Sequence, residues 1–203
     1  MTTLAVLDAC VLVPHPLFDT LLRVADAGLF RPLWSDQILI EVERTLTLKR
    51  GLTPHKARRR IDQMRRAFPE ALIEGYDDLI PAMTNHPKDR HVVAAAVFSG
   101  ANLIVTANLK DFPAQSLRHY DLEARHPDDF LLDQLNLDVD AVIECLHQQR
   151  ADYTDPAMEV TEFFAAFMPT VPRFAQAAHS LEAGVAPEVI GTFFGSGLPG
   201  ENL

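Results

Sequence analysis

Cysteine is scarce in this 203-residue chain: Cys10 and Cys145 stand far apart, with no CxxC pair. That excludes a disulfide framework and a zinc–thiolate site, and it points to a reducing compartment, the cytoplasm. No run of 18 apolar residues occurs, so no membrane span is expected. The opening MTTLAVLDACVLV has no basic leader, and Asp8 interrupts its apolar run, so it is expected to be a first strand and not a signal peptide. GxGxxG, Walker and GxSxG motifs are absent, which removes the sequence basis for dinucleotide binding, P-loop chemistry or a serine hydrolase. GSGLPG near the C-terminus precedes no helix and reads as tail more than as a phosphate loop. There is no internal repeat and no low-complexity tract.

What is present is a core and a polarised charge distribution. Hydrophobic residues make up 48% of the chain, enough for one α/β domain, alone or with a smaller added piece. The net charge of −10 argues against a polyanionic partner only until its distribution is examined. Between Arg44 and Arg66 lie nine of the 18 basic residues, among them Arg44, Lys49, Arg50, Arg58 and Arg59, against one acid, Asp62. That segment is +8 and the rest of the chain −18. A protein so divided can offer one basic face to a polyanion while being acidic as a whole. The same run also fits a plain solvated helix face.

The hydrophobic pattern orders the elements. Residues 4–8 read as a short buried strand ending at Asp8, and residues 16–28 as a helix stopped by Gly28. LFRPLW reads as a second strand. SDQILIEVERTLTLKRG opens on Ser35 as N-cap and closes on Gly51, and TPHKARRRIDQMRRAF opens on Thr53 with Pro54 in the first turn. ALIEGY, PKDRHVVAAAVFSG and ANLIVTAN continue as strand, helix and strand. The order β-α-β-α-α-β-α-β through residue 112 predicts a parallel central sheet flanked by helices. Residues 127–150 read as helical. Beyond a boundary near Asp152, MEVTEFFAAF and RFAQAAHSLEAG predict two amphipathic helices of a C-terminal extension over 151–203. Phe163, Phe164, Phe167, Phe193 and Phe194 suit either packing on the body of the protein or a partner surface.

In an open parallel sheet, ligands bind beyond the carboxyl ends of the strands. Four acids fall where that geometry gathers side chains. Asp8 ends the first strand, and Asp111 follows the strand at 103–107. Asp89 heads the apolar face of its helix, with Val92, Val93 and Ala96 at i+3, i+4 and i+7. Glu41 lies on a mostly inward stripe with Ile38, Thr45 and Leu48, while Glu43 reads as solvent-facing. Each has an ordinary alternative: helix capping for Asp8 and Asp89, an exposed helix position for Glu41, an Asx-turn for Asp111. Asn108 fits an oxygen ligand or a turn residue. Together, clustered carboxylates raise one another's pKa unless a cation neutralises them. An all-oxygen set suits Mg²⁺ or Mn²⁺ and not zinc.

LAVLDACVLV, SDQILIEVERTL, HPKDRHVVAAAV and LIVTANLKDF, in that order over residues 1–135, resemble PIN-domain proteins, in particular the VapC-type ribonuclease toxins of bacterial toxin–antitoxin pairs. The resemblance implies a Rossmann-like PIN domain over 1–150 and Mg²⁺-dependent (or Mn²⁺-dependent) hydrolysis of RNA to 5′-phosphate and 3′-hydroxyl ends. It also implies control by a small antitoxin; a homodimer stays open. It gives Asp8, Glu41 and Asp89 as the first three acids, with Asp8 and Asp89 holding the metal. The family's fourth acid is replaced by Asn108, in Thr106-Ala107-Asn108, and Asp111 in the following KDF takes over its role. Thr106 matches a hydroxyl that contacts metal-bound water. Within this reading Arg44, Lys49, Arg50, Arg58 and Arg59 are the RNA-binding residues, and an acidic antitoxin segment could use the same surface.

Other side chains carry less. His55, His86 and His126 suit surface or turn roles, and His86 and His91 form no transition-metal set. Cys10 reads as a small core residue. Two rival functions remain: a non-catalytic PIN-like module that binds RNA or protein, which Asn108 favours, and a metal-dependent phosphoesterase acting on DNA or a small phosphate ester.

Overall fold

A computed structural model of the chain describes residues 2–154 and 156–184. Its centre is a five-stranded sheet formed by β1 (Thr3–Leu7), β2 (Phe30–Ser35), β3 (Leu72–Ile73), β4 (Leu103–Val105) and β5 (Glu123–Arg125). The strand order is β3-β2-β1-β4-β5, and every pairing is parallel. Ala5, Val6, Leu7, Ile104 and Val105 are wholly buried, as expected for strands covered on both faces. The fold class read from the pattern, a parallel sheet flanked by helices, is the one observed.

The helices begin where their caps direct. Ser35 accepts a hydrogen bond from Ile38 N–H and opens α3 (Asp36–Leu48), while Thr53 accepts from Lys56 N–H and opens α4 (Pro54–Ala67). α5 (Arg90–Ser99) stops at Gly100, whose φ of 68° is left-handed. Around these lie α1 (Ala9–Leu12), α2 (Leu17–Asp26) and α6 (Ala114–Leu117), then α7 (Pro127–Leu137) and α8 (Val139–Ala151). The last two read as one helical stretch in the sequence, but Asp138 breaks it: its backbone is extended and its side chain caps α8 through Ala141 N–H.

Other differences from the pattern are local. The apolar residues 11–13 after Asp8 are not strand: Val11 and Leu12 lie in the short helix α1 and Val13 is its C-cap. The strand expected over ALIEGY is only two residues long, because Gly75 takes φ 81° and turns the chain away. β5 carries no apolar run and escaped notice; it is an edge strand of Glu, Ala and Arg.

The tail helices α9 (Val160–Ala165) and α10 (Pro172–Glu182) pack against the body of the protein. Phe163, Phe164, Phe167 and Phe174 are buried in a cluster of edge-on rings, with Phe163 and Phe167 centroids 5.2 Å apart. Asp128, at the start of α7, accepts from the N–H groups of Arg173 and Phe174 and from Arg173 Nε, fixing the first turn of α10. Phe193, Phe194 and GSGLPG lie outside the described residues.

Candidate active site

The strand order reverses at β1: β2 and β3 build away on one side, β4 and β5 on the other. Such a switch point opens a crevice beyond the carboxyl ends of the two strands that meet there. Leu7 pairs with Val105 at those ends, so the next residues, Asp8 and Thr106, emerge side by side. Thr106 Oγ1 donates to Asp8 Oδ2 at 2.7 Å, and Asp8 N–H donates to Val105 O at 3.1 Å. Both side chains are almost wholly buried.

A cleft of about 680 Å³ opens over this point. Asp8, Glu41, Asp89 and Asn108 line it together with Arg44, Lys49 and Arg50. Four elements distant in sequence thus supply its walls. Arg58 and Arg59 do not line it. Arg58 pairs with Glu43 at 3.4 Å, so Glu43 is not simply turned to solvent, and both arginines face other hollows along α4. Leu48, expected on the inward stripe, is 73% exposed and stands at the cleft wall. The core stripe of α3 is Ile38, Leu39, Val42 and Leu46. At about 100° per residue, Glu41 falls at the edge of that stripe and Leu48 beyond it.

The capping explanations for the two buried aspartates do not fit the geometry. Asp8 occupies the N-cap position of α1, yet its side chain makes no capping bond; it accepts from Thr106 and from Cys10 Sγ (3.0 Å). Asp89 occupies the N-cap position of α5, again without a capping bond, and its Oδ2 is buried with no hydrogen-bond partner among the described residues. A buried carboxylate oxygen left bare is costly unless a cation or proton meets it. Burial pushes the Asp89 carboxyl above its ordinary pKa, and the nearby charges of Asp8, Asp111 and Glu41 push the same way, against Lys88.

Asp111 does not line the cleft but groups with Asp89 beside it. Single donor atoms of His86, Asp89 and Asp111 all lie within 4.8 Å of one another. Asn108 Nδ2 donates to Asp111 Oδ2, and the Asp111 carbonyl accepts from His86 N–H, which ties this loop to the start of α5. Asn108 therefore holds Asp111 and also lines the cleft. His86, expected in a turn, is in one, with Nδ1 3.4 Å from Asp89 Oδ2. His126, also expected in a turn, caps α7 through Nδ1.

Two residues near the site were read otherwise or missed. Cys10 is only partly buried, and its thiol is a site component: it donates to Asp8, stands 3.4 Å from Thr106 Oγ1 and accepts from Ala107 N–H. Burial, with Asp8 beside it, pushes that thiol up to about 12, so it stays protonated and unreactive. His91 is 2% exposed, with Nε2 3.3 Å from Glu41 Oε1. The i+2 spacing from Asp89 was visible in the sequence, but its partner lies 50 residues away on another helix.

The oxygen-rich donor set and the bare Asp89 oxygen fit a hard divalent cation. Asp8 and Asp89 could hold it, with Glu41 on the cleft wall and Asp111 and His86 grouped with Asp89. A parallel sheet in the order 3-2-1-4-5, carrying an acidic cleft at its switch point, defines a nuclease-like α/β domain. Comparison with known proteins gives the family. The PIN domain family matches residues 4–110, more than half of the chain, and the chain belongs to that family. The family described as the VapC50 C-terminal domain matches residues 127–180. A protein of Mycobacterium tuberculosis named "Putative ribonuclease VapC50" is 46% identical over 117 residues, 58% of this chain and 69% of that protein. No solved structure matches the chain. Among the described residues, no helix is long and apolar enough to cross a membrane.

Proposed function

We propose that the protein is a metal-dependent endoribonuclease, the toxin of a toxin–antitoxin pair, using Mg²⁺ or Mn²⁺ at the Asp8–Asp89 cleft. The observation that carries this reading is the pair of buried aspartates that sit at helix N-caps without capping, in a cluster of like charge with Glu41 and Asp111. The similarity to a protein named as a ribonuclease supports RNA as substrate.

Asp8 and Asp89 would hold the ion, and Thr106 fixes the Asp8 oxygen it donates to. A bound divalent ion would supply a water of lowered pKa and polarise the scissile phosphoryl group. Glu41 is placed to orient the attacking water, and Asp111, steadied by Asn108, closes the acidic wall. Arg44, Lys49 and Arg50 line the same cleft and would meet backbone phosphates, the contacts that position RNA without reading sequence. Arg58 and Arg59 extend that basic surface along α4. A small antitoxin would act by covering the cleft, in the cytoplasm. We assign the nuclease activity to residues 1–150 and treat 151–203 as an extension, of which α9 and α10 dock on them.

The test is cleavage of an RNA panel with Mg²⁺ and Mn²⁺, alongside single-stranded DNA and nucleotide controls, for the parent and for Asp8→Asn. Cleavage of RNA is expected to fall on the order of 10²–10³-fold in the variant while the circular dichroism spectrum is unchanged. Equal cleavage by both would remove the site assignment. Failure of the parent to bind either ion by calorimetry would favour the non-catalytic binding module.

A further inference from the structure

His91 sits in the first turn of α5 amid Val92, Val93, Ala94, Ala95 and Ala96, all buried. At 2% exposure it is a core position, and an aliphatic side chain would suit its neighbours. Instead it carries an imidazole whose two nitrogens make no well-formed hydrogen bond among the described residues. Leaving a buried polar group unpaired costs free energy that a hydrocarbon would not. The one ion-pair contact of the ring is Glu41 Oε1, 3.3 Å from Nε2.

Glu41 needs such a contact. It lies at the edge of the α3 core stripe, 30% exposed, with three rotatable side-chain bonds and basic neighbours at Arg44 and Lys49. Two residues on, Glu43 shows what a glutamate of this helix does without a buried anchor: it turns to an exposed arginine, Arg58, at 3.4 Å. His91 is held by a helix packed against β1 and β4, so its ring is a fixed point that a flexible carboxylate can be tied to. A hydrogen on Nε2 is what the Glu41 oxygen requires; the 3.3 Å contact is not yet aligned as a hydrogen bond, and Glu41, the flexible partner, is the side chain that can turn to align it.

We infer that His91 is a positioning residue: its Nε2–H holds one oxygen of Glu41, so that the other oxygen faces the cleft. This rests on the nuclease reading for its consequence, but the His91–Glu41 bond stands or falls separately.

Two measurements on the full chain test it. The first is ¹⁵N NMR of the imidazole with Asp89 intact. The Nε2–H tautomer is expected in the parent, and its Nε2 resonance should move in Glu41→Ala. An Nδ1–H tautomer, or a spectrum indifferent to Glu41→Ala, overturns the inference whether or not RNA is cleaved. The second is a double-mutant cycle on single-turnover cleavage. His91→Phe is expected to lower kcat about tenfold with KM unchanged within about twofold, in the range seen when a residue that orients an active-site ligand is removed. His91→Gln, which keeps a donor, should recover part of the loss. In a Glu41→Ala background, His91→Phe should add less than about twofold, because its partner is already gone. Independent, multiplying losses would mean a structural role and would overturn the inference. If His91→Phe does not fold, His91→Gln and the NMR arm decide.

Discussion

Asp89 and Asp128 are nearly equally buried, at 7% and 4% exposure, and each stands at the start of a helix. Their surroundings are opposite. Asp128 accepts from Phe174 N–H at 2.8 Å and from Arg173 N–H and Nε at 3.2 Å, so its charge is spent on fastening α10. Asp89 Oδ2 makes no hydrogen bond among the described residues, has only His86 Nδ1 near it at 3.4 Å, and faces the like charges of Asp8, Asp111 and Glu41. Burial alone therefore does not mark a functional carboxylate. The mark is a buried carboxylate turned toward others of its own sign, because a protein does not gather negative oxygens in its interior except where something else arrives to neutralise them. The same contrast separates the two ends of the molecule: at the tail a buried carboxylate meets donors and fastens a helix, and at the sheet's switch point carboxylates meet one another.

The sharpest way to break that comparison is to neutralise each aspartate in turn. Asp89→Asn should lower RNA cleavage on the order of 10²–10³-fold and leave a folded protein. Asp128→Asn keeps the shape but loses a charge-assisted cap. It should lower stability by about 1–3 kcal/mol, some 2–12 °C in Tm for a chain of this size, with kcat of the folded protein unchanged. Thermal melts and single-turnover rates read both. If Asp128→Asn proves inactive while fully folded, or Asp89→Asn fully active, the division between structural and chemical carboxylates fails.

A smaller effect sharpens the division within the site. Asp111 offers an oxygen to the cluster, whereas Asn108 holds Asp111 in place. Asp111→Ala is expected to weaken Mn²⁺ binding about tenfold or more by calorimetry, and Asn108→Ala to act in the same direction but less, since Asp111 remains. The reverse order would make Asn108 the ligand and Asp111 its support.

Much of this was legible in the sequence, and what was not has physical reasons. The strand end at Asp8, the caps Ser35 and Thr53 and the stop at Gly100 are local signals that lie where they were read, while the strand read over 103–107 already ends at Val105, just before Thr106. Of the four acids grouped in the sequence, Asp8, Glu41 and Asp89 line one cleft, because the parallel order fixes where strand ends converge, whereas Asp111 does not line it and groups instead with Asp89 and His86. β5 was illegible because an edge strand of three mostly polar residues has no apolar pattern to show. Leu48 was placed inward because spacing by threes and sevens drifts around a helix, and by i+10 it has left the buried stripe. Cys10 and His91 were misjudged for another reason. Both are apolar-context residues in one dimension, and only the fold brings Asp8 and Thr106 to the thiol and Glu41 to the imidazole. The docking of the tail through Asp128 likewise joins residues 45 positions apart.

The smallest expected effect tests the comparison in the absence of any substrate. Because the folded state raises the Asp89 pKa, the folded protein holds that proton more tightly than the unfolded chain does. The contribution of Asp89 to stability then declines as pH rises from the ordinary aspartate range through the raised folded value, and at neutral pH the ionised Asp89 is a net burden on the metal-free fold. Asp89→Asn removes that burden. The metal-free variant should melt about 2–4 °C above the parent at neutral pH, equivalent to about 1 kcal/mol, and the difference should vanish in acid, where Asp89 is protonated in both states. A divalent ion that binds only the folded parent should reverse the order: at about a hundred times its Kd it would add about 2.7 kcal/mol to the parent and nothing to the variant. Asp128→Asn should show neither the gain nor the reversal, since its carboxylate is already met by its own protein. A metal-free Asp89→Asn that melts below the parent at neutral pH would mean that Asp89 is satisfied after all, and that the two aspartates are of one kind.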